Sequence, residues 1–225
     1  MPATLALRRQ VVTVCRRLYE RGLIAGTDGN VSVRARSGVM LITPAGMSKV
    51  DVTVDDLVEV SWDGGQPRGH ARASTEQAMH VRLYRRREDV GAVVHAHPPF
   101  ATAFAAAGAP LETDTLPEMI YQLGNIAHVP FVVPGTEAVA DAMEPHIADH
   151  DVFLLANHGA TTVGATLTMA HQRMESLEHG ARIVWLARAL GGARSLPADA
   201  VAVLENLRMA NTPRSATPND SRSGR

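Results

Sequence analysis

The stretch Val93-Val94-His95-Ala96-His97-Pro98-Pro99 decides how this chain is read. Its small and β-branched apolar residues make a buried strand, and the proline pair, which cannot continue a ladder, stops it. Side chains on a strand alternate between faces, so His95 and His97 point to the same side. Two imidazoles projecting together from a strand end form half of a metal site. Two hydrogen-bonded core histidines fit the same pattern, and the heptapeptide alone does not choose between them.

On the N-terminal side, Leu7, Val11, Val14 and Leu18 recur at helical spacing over 5–20, and Gly22 suits a C-terminal stop. Gly26-Thr27-Asp28-Gly29-Asn30 is a turn cluster. Strands over 31–36 and 39–43 make a hairpin about Ser37-Gly38. Thr53 is placed to cap a short helix through Leu57. Strands over 58–62 and 66–70, joined at Asp63-Gly64-Gly65, read as a second hairpin. Ser74 or Thr75 then caps a helix to about Arg87.

Beyond the His-x-His strand come an alanine-rich helix from Phe100 to Ala107 and an irregular stretch with short strands over 110–134. A helix follows from Thr136 to Ile147. A buried strand over 152–156 ends at Asn157-His158-Gly159. A long helix covers 168–190, and a short one starts at Pro197. One domain is expected over 1–210, followed by a disordered tail over 211–225 rich in Pro, Ser, Asn and Arg. Hairpins mixed with helices predict an α/β fold, layered α/β/α, with a central, mostly antiparallel sheet.

With 225 residues, 45% of them hydrophobic, the chain is long enough for one sizeable core. Its formal net charge is -1 with both signs interspersed, which argues against nucleic acid or an anionic membrane as partner. No apolar run approaches the ~20 residues that span a bilayer. The start, Met1 to Arg9, lacks the apolar core of a secretory leader, and the single cysteine, Cys15, allows no internal disulfide. A reducing cytoplasm is the expected setting.

His158 also stands at the end of an apolar strand, before a glycine. A third strand-end histidine would complete an open three-histidine set, the arrangement catalytic zinc uses. Glu76, at the start of a helix, is the natural fourth group, although a helix-start carboxylate answers to the same spacing. The turns 26–30 and 43–46 are joined by one hairpin and so lie together at one end of the sheet, where successive backbone N–H groups can receive an anion.

Taken in order, Gly26-Thr-Asp-Gly-Asn-Val-Ser-Val-Arg34, Thr43-Pro-Ala-Gly46, Ser74-Thr-Glu76, His95-Ala-His97 and Asn157-His-Gly159 resemble the class II aldolase/adducin family. The L-fuculose-1-phosphate and deoxypentulose-phosphate aldolase branch is the nearest in pattern. The resemblance implies one divalent metal ion per subunit, usually zinc, with manganese or cobalt as alternatives, held by His95, His97, His158 and Glu76. It implies that Glu76 also serves as acid/base, and that Asn30, Ala45, Gly46, Ser74 and Thr75 take the substrate phosphate. The family often has a hydroxyl residue where Ala45 stands, leaving a backbone N–H as the expected donor. Where the aldolases place a tyrosine donated across a subunit boundary, this chain reads Leu116 to Tyr121; Glu118 stands at the matching place, with Tyr121 as the alternative. A homotetramer with sites shared between subunits follows from the same resemblance.

The reaction so implied is cleavage of a ketose 1-phosphate to dihydroxyacetone phosphate and an aldehyde. A dehydratase, epimerase or decarboxylase would use the same site, and an adducin-like module would use the fold without catalysis. His80 lies one helical turn after Glu76 and is read as structural, because three other histidines already fill the ligand set.

Overall fold

A computed structural model describes residues 3–62 and 65–211. Helix α1 (Leu5–Glu20) starts at Thr4, whose hydroxyl accepts from the Leu7 N–H, and it buries Val11, Val14, Cys15 and Leu18. Strands β1 (Asn30–Arg36) and β2 (Val39–Ile42) form the expected hairpin, followed by β3 (Val58–Ser61). Helix α2 (Gln77–Arg86) leads to β4 (Ala92–Ala96), the strand that carries His95. Next come α3 (Pro99–Ala107), α4 (Pro117–Leu123), β5 (Ile126–Val129) and α5 (Glu137–Met143). The chain then forms β6 (Val152–Leu155), β7 (Gly159–Gly164), α6 (Leu167–Ala189) and α7 (Ala198–Asn211).

Among the described residues, the seven strands form one sheet in the order β3-β2-β1-β4-β7-β6-β5. Five of the six pairings are antiparallel, and only β5 with β6 is parallel. Alternation along each strand feeds two cores, one on each face. Ala92, Val94 and Ala96 join residues of α1, α3 and α6, whereas Val93 joins residues of α2 and α5. Both faces are thus covered by helices, and the mostly antiparallel α/β/α layering expected from sequence is what the chain adopts.

Several local expectations change. Residues 53–57 form a turn, not a helix, held by Asp56 Oδ2 accepting from both the N–H and the hydroxyl of Thr53. The second arm of the 58–70 hairpin is reduced to a single bridge between Glu59 and Arg68, and Asp63 and Gly64 of its loop lie outside the described residues. Helix α2 starts after Glu76, later than either expected cap, and α5 ends at Met143 in a short 3-10 turn. Within 110–134 there is a helix, α4, that begins on Pro117. Strand β7 follows directly on His158, in a segment given no element from sequence. Helix α7 runs through Asn211, and the remainder of the expected tail, 212–225, lies outside the described residues.

Sheet register brings the quoted motifs to one edge. Because β1 is antiparallel to β4, Asn30 at the head of β1 stands opposite His95 near the end of β4. Because β7 is antiparallel to β4, Ala160 stands opposite Ala96, so His158 arrives beside His97. Gly29 must be glycine here. Its φ is +70°, and a Cβ would stand 2.7 Å from the His95 carbonyl oxygen.

Candidate metal centre and active site

Four acid/base side chains meet at this edge. One ring nitrogen from each of His95, His97 and His158 lies within 4.8 Å of the others. His95 Nε2 and His97 Nε2 are 3.2 Å apart. Glu76 reaches in from the start of α2, placing Oε2 3.3 Å from His95 Nε2 and Oε1 3.4 Å from His158 Nε2.

For His95 and His97 the outer nitrogen fixes which side of the ring faces inward. His95 Nδ1 donates to the Ala160 carbonyl at 3.0 Å, with the Thr161 hydroxyl at 3.1 Å, so its Nε2 carries a lone pair. His97 Nδ1 faces Asp28 Oδ2 at 3.4 Å. Burial pushes the His95 pKa well below the ordinary histidine range, and the neighbouring His158 and His97 add to the shift. Burial likewise lowers His158, against the opposing pull of Glu76. Neutral imidazoles with inward lone pairs are the form that binds a metal.

A divalent cation fits this donor set. Glu76 Oε1 is buried and has no hydrogen-bond partner among the described residues. Ring nitrogens of three histidines converge with that carboxylate oxygen. Lys49 acts on Glu76 electrostatically, and a divalent cation would give the buried oxygen the direct partner it lacks.

The cluster opens into a cavity of about 280 Å³ lined by residues of both turns, by Ser74 and Thr75, and by Glu76, His97 and His158. Asn30, Ala45, Gly46, Ser74 and Thr75 therefore share one space next to the histidines. One expectation is corrected. The Ala45 N–H is not directed at a ligand but donates to the Arg72 carbonyl at 2.9 Å, so Ala45 contributes shape rather than a donor. Pro134 and Gly135, reaching over from the loop before α5, complete the wall.

Glu118 is elsewhere. It stands on α4 in a separate hollow with Arg21, Glu175 and His179, and neither it nor Tyr121 lines the cavity of its own chain. Lys49, which sequence reasoning passed over, lines the cavity and is buried; its Nζ donates to the carbonyls of Thr27 (2.9 Å) and Met47 (2.8 Å). Burial lowers its pKa. Its signal was a lysine just after the second glycine turn. Asp28 and Arg72 also line the cavity, and each sits within or beside a quoted motif.

Fold and site together define a protein class. The Class II Aldolase and Adducin N-terminal domain profile matches residues 9–185, and the chain belongs to that family. Within it the chain is an enzyme of the class II, metal-dependent lyase type. It is 33% identical over 202 residues to a 5-deoxy-D-ribulose 1-phosphate aldolase of Bacillus thuringiensis, covering 89% of this chain and 92% of that protein. It is 31% identical over 186 residues to a 3-oxo-tetronate 4-phosphate decarboxylase of Escherichia coli, covering 80% and 87%. Among solved structures, an L-fuculose 1-phosphate aldolase superimposes with a TM-score of 0.84 at 28% identity, covering 91% of this chain and 97% of that one. No helix among the described residues is long and apolar enough to cross a membrane.

Proposed function

We propose that this protein is a divalent-metal-dependent aldolase that cleaves a ketose 1-phosphate of the L-fuculose 1-phosphate type to dihydroxyacetone phosphate and an aldehyde. The observation that carries the reading is the opening of the histidine–carboxylate cluster directly into a cavity walled by the two glycine turns and Ser74-Thr75. His95, His97, His158 and Glu76 would hold the cation, with zinc the first choice and manganese or cobalt compatible with the same donors. The chemistry a divalent cation supplies when bound is neutralisation of negative charge developing on the substrate oxygens.

The chain's own residues do the rest. The Asn30 amide, the Gly46 turn and the hydroxyls of Ser74 and Thr75 seat the phosphate, with Ala45 shaping the wall. Fixing that end of the sugar lowers the entropic part of the barrier. The C4 hydroxyl gives its proton to a second acid/base, and the C3–C4 electron pair passes to the dihydroxyacetone phosphate half. Glu76 then returns a proton to that carbon. We assign the second acid/base to Glu118 of a neighbouring subunit, with Tyr121 as the alternative, because both lie outside the cavity of their own chain. A homotetramer with shared sites belongs to the same proposal, as does a cytoplasmic setting, which the single buried Cys15 supports.

A second reading has one specific support: a relative named as a decarboxylase matches almost as well as the aldolases do. One experiment separates them. Metal-loaded protein is given L-fuculose, ribulose and 5-deoxyribulose 1-phosphates, and a 3-oxo-tetronate 4-phosphate. Dihydroxyacetone phosphate released from a ketose 1-phosphate is the expected result; carbon dioxide from the 3-oxo acid, with no cleavage of the ketoses, refutes the aldolase.

A further inference from the structure

Strand β1 and helix α2 meet as two columns of polar side chains. The strand column is Asn30 and Ser32, two residues apart on one face; the helix column is Glu76, His80 and Tyr84, four apart on one face. They interlock in a continuous chain. Tyr84 Oη lies 2.8 Å from Ser32 Oγ, and Ser32 Oγ lies 2.7 Å from His80 Nδ1. His80 Nε2 lies 2.5 Å from Asn30 Oδ1, and Asn30 Nδ2 donates to Glu76 Oε2 at 2.8 Å. Ser32 and His80 are fully buried, with Tyr84 1% and Asn30 3% exposed.

Each link has only one direction. A carboxylate oxygen accepts, so the edge of Asn30 beside Glu76 is its NH2 group, and its carbonyl faces His80. His80 Nε2 must then carry a proton. In a neutral imidazole Nδ1 is left as an acceptor, and it takes the Ser32 hydroxyl proton. Ser32 Oγ has spent its proton and receives that of Tyr84. Reversing any link sets two acceptors face to face in a buried site. Burial pushes the His80 pKa down to about 3, in keeping with the neutral ring the pattern needs.

We propose that His80 is a positioning residue of the active site, which holds the Asn30 amide with its NH2 edge, not its carbonyl, toward Glu76 and the cavity. His80 does not line the cavity and acts only through Asn30, which does. Without the His80 donor, the Asn30 carbonyl loses its partner, the amide is held by Glu76 alone, and its plane is free to swing away from the cavity. The effect on anion binding rests on the phosphate-cavity reading above; the amide's orientation does not.

The test has two readouts. Long-range proton–nitrogen correlation spectra of histidine-labelled protein report the tautomer directly: a neutral His80 protonated on Nε2 is expected, and protonation on Nδ1 or a charged ring overturns the proposal. Calorimetric titration of metal-free protein with inorganic phosphate reports the consequence. His80→Leu is expected to weaken binding about tenfold, as loss of a hydrogen bond to a charged group does, while His80→Gln, which can offer an N–H toward Asn30, largely restores it. In an Asn30→Ala background, His80→Leu should cost nothing further. A folded His80→Leu protein that binds phosphate like wild type, or a full additional loss in the Asn30→Ala background, overturns it. If His80→Leu does not fold, Ser32→Ala, which removes the donor fixing His80 Nδ1, carries the same expectation. If wild type takes no phosphate, the cavity reading fails, and the tautomer still decides the relay.

Discussion

Replacing Gly159 by alanine tests whether close packing around His97 sets metal affinity. The new methyl would stand 2.5 Å from His97 Cδ2 and 2.6 Å from the Ala96 carbonyl oxygen. Ala96 is paired with Ala160 in the ladder between β4 and β7, so its carbonyl has little freedom to yield. Ordinary contact begins at 3.4 Å, so the imidazole must retreat by about 0.9 Å. Cδ2 is bonded to Nε2, so the inward nitrogen moves by a similar amount. Metal–ligand distances hold to about 0.2 Å, and one of the four proposed donors is then out of reach. We expect zinc affinity to fall by ~10–100-fold or more, and stability by ~1–3 kcal/mol from overpacking. Competition against a chromophoric chelator measures the first, and urea unfolding of metal-free protein the second. Gly108→Ala is the control. Its φ of +59° makes it costly for the fold, but a Cβ there meets nothing within 4 Å, so metal affinity should not change. Wild-type zinc affinity in Gly159→Ala would refute the reasoning.

Three further outcomes are expected. Asp151 is fully buried among Arg87 (2.7 Å), Arg208 (2.8 Å) and Arg173 (3.1 Å), so Asp151→Asn should cost ~3–5 kcal/mol in chemical denaturation. His80 takes a proton below pH 6.5 when unfolded but only near pH 3 when folded; stability should be intact above pH 6.5 and decline as pH falls toward 3. At pH 5 this one group removes ~2 kcal/mol relative to pH 7, a loss that should be missing from the same comparison on His80→Gln. Glu76→Gln and Glu118→Gln should each abolish turnover, and subunits mixed after dissociation should regain about one active site in four if each site draws on two chains. No recovery in verified hybrids would place both groups in one chain.

The histidines were legible because strand alternation and a terminating proline or glycine are local signals, and both survive in the fold. Strand β7 was not legible. Gly159 to Gly164 is buried on both faces and made of small residues, so no alternation marks it. Helix α4 has only seven residues, too few to show a period, and its stability comes from packing, with Met119 set against Gly180 of α6. The start of α2 was misjudged because Ser74 accepts from the Glu76 N–H while the helix itself begins only at Gln77. The relay through His80 was half visible. Glu76, His80 and Tyr84 share a helical face in the sequence, but their pairing with Asn30 and Ser32 depends on how β1 packs against α2. Lys49 was passed over although it follows the second glycine turn, since nothing in that position tells a surface lysine from one drawn inward by two carbonyl groups.

That ammonium has a mechanical consequence. By clasping Thr27 and Met47 at once it joins the two glycine turns into a single unit, so neither can hinge open alone. The end of the cavity walled by the two turns, the proposed seat of the phosphate, is thereby braced from within, and a change of substrate would leave that anchor in place.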